Sequence, residues 1–170
     1  SLAAVEGARH AFAFASGMAA TNTVLNLLKR GDHVVSVDNV YGGTTRILTM
    51  LYRQFGVSTT FVDGTDPANV AGAIRKETRL AWLETPSNPL LKLCDLKATI
   101  SGVRRKADRR AIVVVDNTFA SPAVQDPFAM GADIVMYSLT KYHGGHSDVL
   151  AGALLTNDRA LAKRLGYFQN

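Results

Sequence analysis

The sequence predicts an α/β fold, a mostly parallel seven-stranded-type sheet with helices on both faces, and three observations carry that prediction. Short β-branched runs alternate with helical segments along the whole chain, the pattern of strands joined by helical crossovers. At 170 residues, 47% hydrophobic and 19% charged, the chain matches one globular domain with a substantial core. Polar and glycine-rich stretches come after the strand candidates, and in open parallel sheets ligands bind beyond the carboxyl ends of the strands.

A helical pattern, "SLAAVEGA", opens the chain at residues 1–8, and "HAFAFA" at 10–15 is the first strand candidate. "GMAATNTVLNLLKR" at 17–30 reads as a helix and "HVVSV" at 33–37 as a strand. "GTTRILTMLYRQF" (43–55), "VSTTFV" (57–62), "DPANVAGAIRKE" (66–77) and "LAWLE" (80–84) repeat the alternation. Beyond the loop "TPSNP" come the amphipathic segment "DLKATISGVRRKADRR" (95–110) and the strands "AIVVVD" (111–116) and "DIVMYS" (133–138). The apolar stretch "LAGALLT" (150–156) is expected to return antiparallel before a last helix, "DRALAKRL" (158–165). The pattern contains no internal repeat or linker. The chain begins inside a helical pattern and stops at "LGYFQN" without a clear cap, so it reads as a piece of something longer.

Charge and composition narrow the function classes. The longest purely aliphatic stretch, "AIVVV" at 111–115, is far short of the roughly 18 apolar residues a spanning helix needs, and no leader pattern is present. The net charge of +5 suits an anionic partner, yet the basic residues are scattered. The densest run, "RRKADRR" at 104–110, ends a helix, where the dipole favours cations, and lacks the interleaved aromatics of a base-stacking surface. A solvated helix face is therefore expected rather than nucleic-acid binding. The lone cysteine, Cys94, excludes an intrachain disulfide and suits a reducing compartment, with the cytoplasm as the default. No histidine neighbours Cys94 to activate it, so it reads as a structural thiol. His143, His146 and Asp148 lack converging third and fourth ligands, and no metal is expected.

The segments directly after three of the strands are more informative. After "AFAFA", Ser16 is placed to cap a helix, and Gly17 and Met18 present backbone N–H groups at its N-terminus, a setting for an anion. Neither a dinucleotide G-x-G-x-x-G pattern nor a P-loop lysine motif occurs. After "AIVVV" comes "DNTFASP" with Asp116 at the strand end, open to three readings: turn former, metal ligand or partner of a cationic ring nitrogen. After "DIVMY" comes "SLTKYHGGHSDV", where Lys141 stands among Ser138, Thr140, Gly144 and Gly145. A ligand that uses all three carries an anionic group, a basic nitrogen and an electrophile for an amine. Pyridoxal 5′-phosphate has these features: a lysine holds it covalently, a carboxylate keeps its pyridine nitrogen protonated, and a helix terminus with hydroxyls binds its phosphate.

"FASGMAAT", "DNVYGGTTR", "ETPSNPLL", "DNTFASP" and "YSLTKYHGGHSDVLAGAL" resemble, in this order and spacing, the Cys/Met-metabolism family of pyridoxal-phosphate enzymes, which includes cystathionine γ-synthase and γ-lyase. The resemblance covers essentially all 170 residues and implies the aspartate-aminotransferase-like, fold type I large domain. It further implies Lys141 as the cofactor lysine and catalytic proton carrier, Asp116 as partner of the ring nitrogen, and Gly17, Met18, Ser138 and Thr140 as the phosphate cradle. Tyr41 matches the tyrosine stacked on the ring, which also assists proton movements, and Thr118 and Asn88 match further cofactor neighbours.

The activity implied is β- or γ-elimination, or γ-replacement, on cystathionine or an O-acyl-homoserine. Cystathionine γ-synthase, γ-lyase and O-acetylhomoserine sulfhydrylase remain competitors. Methionine γ-lyase is a further alternative, lowered because Gly43 stands where those enzymes commonly carry cysteine, and the run "YGGT", lacking in one common type of bacterial cystathionine β-lyase, lowers that reading too. The family's N-terminal arm and C-terminal domain, with its substrate-clamping arginine, have no counterpart here, so 1–170 is expected to be a truncated cofactor-binding large domain. A non-catalytic cofactor-binding module is the rival of another class. The partners implied are a small sulfur amino acid or homoserine ester and further copies of the chain, a homotetramer in the full-length parent, with no nucleic acid or membrane.

Overall fold

The alternation becomes one seven-stranded sheet in the computed structural model, which describes residues 2–107 and 111–169. After a short α1 (Leu2–Val5) the strands are β1 (His10–Phe14), β2 (His33–Val37), β3 (Ser58–Val62), β4 (Thr78–Glu84), β5 (Ile112–Asp116), β6 (Ile134–Ser138) and β7 (Gly152–Thr156). Their spatial order is β1-β7-β6-β5-β4-β2-β3. From β3 through β6 all pairs are parallel, whereas β7 runs antiparallel to both β6 and β1. The expected antiparallel return over 150–156 is therefore present.

Burial tracks position in the sheet. β2 and β7 are buried at every residue, and β4, β5 and β6 at all but one, because helices cover both faces of parallel strands. β1 alternates half-buried and exposed residues, as an edge strand does. β6 shows the two faces directly: Ile134 and Met136 join the main core, whereas Val135 and Tyr137 pack with Ala153 and Leu155 on the other side.

Side-chain caps start several of the helices. In α2 (Gly17–Leu25) Ser16 Oγ accepts the Ala19 N–H at 3.0 Å. Asp66 caps α4 (Pro67–Gly72), and Asp95 caps α5 (Leu96–Lys106) by accepting the Ala98 N–H at 2.9 Å. α7 (Arg159–Gln169) closes the chain against β1, β7 and α2. Several helices differ from the sequence pattern: α4, expected over 66–77, ends at Gly72, and α7, expected over 158–165, runs on to Gln169. α2 stops five residues early, because the N–H groups of Leu27 and Leu28 turn back three residues to Val24 and Leu25, tightening the last turn. The segment expected as one helix over 43–55 begins as α3 (Gly42–Arg46) and widens into a π-helical stretch, Ile47–Tyr52. That stretch sends Tyr52 inward, where its hydroxyl donates to Asn26 Oδ1 at 2.6 Å. The four-residue α6 (Ser121–Val124) has no counterpart in the sequence reading.

The basic end of α5 is more than a solvated face. Arg104 Nη2 meets the buried Asp133 Oδ2 at 2.6 Å, and that oxygen also accepts the Val113 N–H of β5 at 2.8 Å. Residues 108–110 of the run lie outside the described residues. No helix is long and apolar enough to cross a membrane among the described residues.

Candidate cofactor site

Parallel pairing sets the carboxyl ends of β4, β5 and β6 side by side, with Glu84 in register with Asp116 and Asp116 in register with Met136. On the far side of β6, Ser138 pairs with Gly152 of β7. Above these ends opens a cleft with a cavity of about 140 Å³. Residues more than a hundred positions apart in sequence line it: Gly17 and Met18, Tyr41, Asn88, Asp116 and Thr118, and Ser138, Thr140 and Lys141. Thus every residue that the resemblance assigned to the cofactor borders the same space.

The N-terminus of α2 is pressed against β6 and β7. A Cβ on Gly17 would stand 2.9 Å from Ser138 Cβ, and one on Gly152 would stand 2.2 Å from the Ser16 carbonyl oxygen. Only glycine allows either approach, so α2 delivers its first N–H groups, which have no partner within a helix, beside the Ser138 hydroxyl. Thr140 lines the same end, but its hydroxyl donates to the Ala151 carbonyl at 3.2 Å and accepts the Ala151 N–H at 3.1 Å. Its immediate task here is to fasten the lysine loop to the chain entering β7.

Asp116 is almost wholly buried, at 6% exposure. Its Oδ1 accepts the Thr118 hydroxyl at 2.6 Å and the Thr118 N–H at 3.1 Å. The Thr118 hydroxyl in turn accepts the Ser138 N–H at 2.9 Å, so a hydrogen-bonded chain joins the end of β6 to the acid. Both bonds to Asp116 fall on Oδ1, which leaves Oδ2 for the cleft. Burial raises the Asp116 carboxyl above the usual carboxylate range, and the two Thr118 bonds oppose that shift.

Lys141 is exposed and makes no ion pair among the described residues. Its loop is fixed by the backbone: the Lys141 N–H donates to Ser138 O at 3.2 Å and the Gly145 N–H to Lys141 O at 2.8 Å. Gly145, at φ +74°, makes the turn after it. Tyr41 stands on the rim, and a Cβ on Gly43 would lie 2.5 Å from Tyr41 Cε1 and 2.7 Å from Met18 Sδ. The smallness of residue 43 therefore lets ring and thioether share one wall of the cleft.

Glu84 was not singled out by the sequence reading. It ends β4 at 6% exposure and accepts the Tyr41 N–H at 3.0 Å and the Asn88 N–H. Burial, then the charge of Asp116, raises its carboxyl above the usual range. An acid closing an apolar strand is the signal that marked Asp116, and "LAWLE" carries it too.

The other candidates lie apart from this chemistry. His143 packs edge-on against Tyr137 at 4.7 Å, and His146 Nδ1 bonds the Gly144 carbonyl at 3.0 Å. No cluster of three or more His, Cys, Asp or Glu residues suited to a metal occurs among the described residues. Cys94 Sγ lies 3.3 Å from Thr99 Oγ1, and burial pushes its thiol up, the reverse of an activated nucleophile.

The family model described as "Cys/Met metabolism PLP-dependent enzyme" matches residues 1–170. The chain is 50% identical over 170 residues to a probable cystathionine gamma-synthase of Herpetosiphon aurantiacus, covering 99% of this chain and 52% of that protein. It is 48% identical over 169 residues to a cystathionine gamma-lyase of Dictyostelium discoideum, covering 99% and 43%. Among solved structures it matches metB from Corynebacterium glutamicum at a TM-score of 0.94 and 44% identity, covering 99% of this chain and 43% of that one. Cystathionine gamma-lyase from Lactobacillus plantarum, complexed with L-serine, matches at 0.94 and 43% with the same coverage. The chain spans about half the length of the curated relatives it matches.

Proposed function

Since the chain belongs to the Cys/Met metabolism family of pyridoxal-phosphate-dependent enzymes, we propose that its cleft holds that cofactor for elimination or replacement at Cβ or Cγ of a sulfur amino acid. Cystathionine and O-acyl-homoserines are the substrate class, and transsulfuration is the setting. The single observation that carries this reading is the convergence of Lys141, Asp116 and the α2 N-terminus on one cleft.

The donor set fits the cofactor. At one end, the glycine-flush N-terminus of α2 and the Ser138 hydroxyl offer donors suited to a phosphate. At the other, the uncommitted oxygen of buried Asp116 suits a protonated ring nitrogen. Between them Lys141 brings an amine.

When bound, pyridoxal phosphate supplies an electron sink for the carbanion formed at the substrate Cα. Lys141 would hold the cofactor through its amine and would serve to move the substrate Cα proton. Asp116 would keep a proton on the ring nitrogen, and Thr118 holds the Asp116 carboxylate in place. Gly17 and Met18, through their N–H groups, and Ser138 bind the phosphate, with Thr140 bracing the loop. Tyr41 would stack on the ring and serve as acid or base at the sulfur, and Asn88 would be a further neighbour of the cofactor. The reading extends to a cytoplasmic protein that assembles with its own copies, a homotetramer in the parent; family membership and the single cysteine support it.

Adding pyridoxal 5′-phosphate to the purified chain tests the assignment. The expected result is a visible absorption band from the lysine-bound cofactor, lost in Lys141→Ala. An unchanged spectrum in that variant rejects the role of Lys141. Cystathionine added next separates an enzyme, which releases keto acid or thiol, from a module that binds cofactor without turnover.

A further inference from the structure

A buried acid that the proposed chemistry leaves unused stands beside the one that it uses. Glu84 and Asp116 end adjacent parallel strands in register, so their backbones lie about 4.8 Å apart. The Glu84 carboxyl also accepts two backbone N–H groups from different loops: Tyr41, from the loop after β2, and Asn88, from the loop after β4. Both loops line the cleft.

We propose that Glu84 is a positioning residue: one buried carboxyl that fixes the Tyr41 loop against the Asn88 loop and, beside Asp116, links uptake of a protonated pyridine ring to its own ionisation. The proposal rests on the reading that the cleft takes pyridoxal phosphate. A glutamine keeps the size and one acceptor oxygen, and a buried carboxyl is more costly to desolvate than an amide. The carboxyl gives something in return only where a positive charge arrives close by, and the ring nitrogen facing Asp116 is such a charge.

The surroundings of Glu84 support the coupling. From the cleft side Asp116, Tyr41 and Lys141 face the same space. On the other side a small cavity brings Asp38, Lys92 and Cys94 towards it. Lys92 is already held by Asp38 at 3.0 Å and Asp63 at 3.4 Å, and Glu84 makes no ion pair among the described residues. Burial and the charge of Asp116 both favour its protonated form, so in the empty cleft the pair retains a proton at neutral pH. A cation next to Asp116 weakens the hold on that proton. At low pH Glu84 is neutral with or without the ring and equals a glutamine. As the pH rises it ionises first in the ring-bound protein, and the native chain gains affinity over Glu84→Gln by about tenfold for each unit by which the ring lowers its pKa.

Pyridoxamine 5′-phosphate is the probe, because it has no aldehyde to react with Lys141. Calorimetry gives its Kd for the native chain and for Glu84→Gln between about pH 6 and about pH 9. The expected ratio of the two constants is near one at the acid end and rises several-fold towards the alkaline end; a flat ratio overturns the proposal. Should Glu84→Gln not fold, infrared difference spectra of the native chain decide: the band of a buried protonated carboxyl disappears on adding the probe at neutral pH, and its persistence overturns the proposal. Failure of the native chain to bind either the probe or pyridoxal phosphate rejects the cofactor reading itself, and this inference falls with it.

Discussion

Thr118 places its hydroxyl between Asp116 and Ser138, bridging two sides of the cleft. It donates to Asp116 Oδ1 at 2.6 Å and accepts the Ser138 N–H at 2.9 Å. Thr118→Val keeps the shape, removes a bond to a charged group, and strands the Ser138 N–H, a change of about 1–3 kcal/mol. The Asp116 carboxyl then moves further up, because the hydroxyl bond was holding it down. Cofactor affinity is expected to fall roughly tenfold or more, with Thr118→Ser restoring most of it, as measured by titrating pyridoxal phosphate absorption. A Ser variant no better than Val would show that the methyl, not the hydroxyl, matters. At this scale the sequence was informative where a residue was out of character for its place: Lys141 among glycines and Asp116 ending an aliphatic strand both stood out. Glu84 fell outside the reading although it ends a strand in the same way. Its two N–H partners lie on loops that only the fold brings together, and so does its neighbour Asp116, 32 positions away.

Strand existence was legible because apolar, β-branched runs this short and this regularly spaced have few alternatives, and all seven runs are strands. Helix bounds were less so, since they depend on tertiary partners: Arg164 reaches the Leu27 carbonyl at 2.9 Å past the early end of α2, and Tyr52 draws the π-helical stretch inward. β2 carries a feature that neither pattern nor propensity announces. His33 is fully buried, and its ring lies between two hydroxyls, Thr78 Oγ1 at Nδ1 and Thr60 Oγ1 at Nε2, each 2.9 Å away. Burial, aided by Arg75, pushes its pKa down from 6.5 to about 4. The unfolded chain therefore takes up the proton more readily than the folded one. The contribution of neutral His33 is fully present above pH 6.5 and is lost as the pH falls from there towards about 4. The full loss amounts to about 3 kcal/mol. Urea denaturation of the native chain and of His33→Asn, at near-neutral pH and near pH 4, measures it. The native chain should lose more stability on acidification by roughly that amount, and equal losses would remove His33 as the cause.

On the scale of the whole molecule, the cleft is where the sheet is drawn together. Its walls come from the start of α2, the ends of β4, β5 and β6 and the loop before β7, so the cleft exists only when nearly the entire topology has formed. The sequence showed the parts in order but not that Gly17 and Gly152 must both lack a side chain for them to close up, which depends on the 2.9 and 2.2 Å approaches made in the fold. A ligand of such a cleft binds the native state and has little affinity for the unfolded chain, so it must raise stability by mass action. At about 100 times its Kd the gain is about 2.7 kcal/mol, which for a domain of this size is about 5–10 °C in Tm. Thermal unfolding with and without pyridoxal 5′-phosphate should show that shift as one cooperative transition, because no part of the sheet can release the ligand alone. Lys141→Ala should keep only part of it, since phosphate and ring contacts survive the loss of the covalent bond. A shift of equal size in both proteins would mean that the amine adds nothing to binding. A second transition insensitive to the ligand would mean that the cleft is built by only part of the sheet.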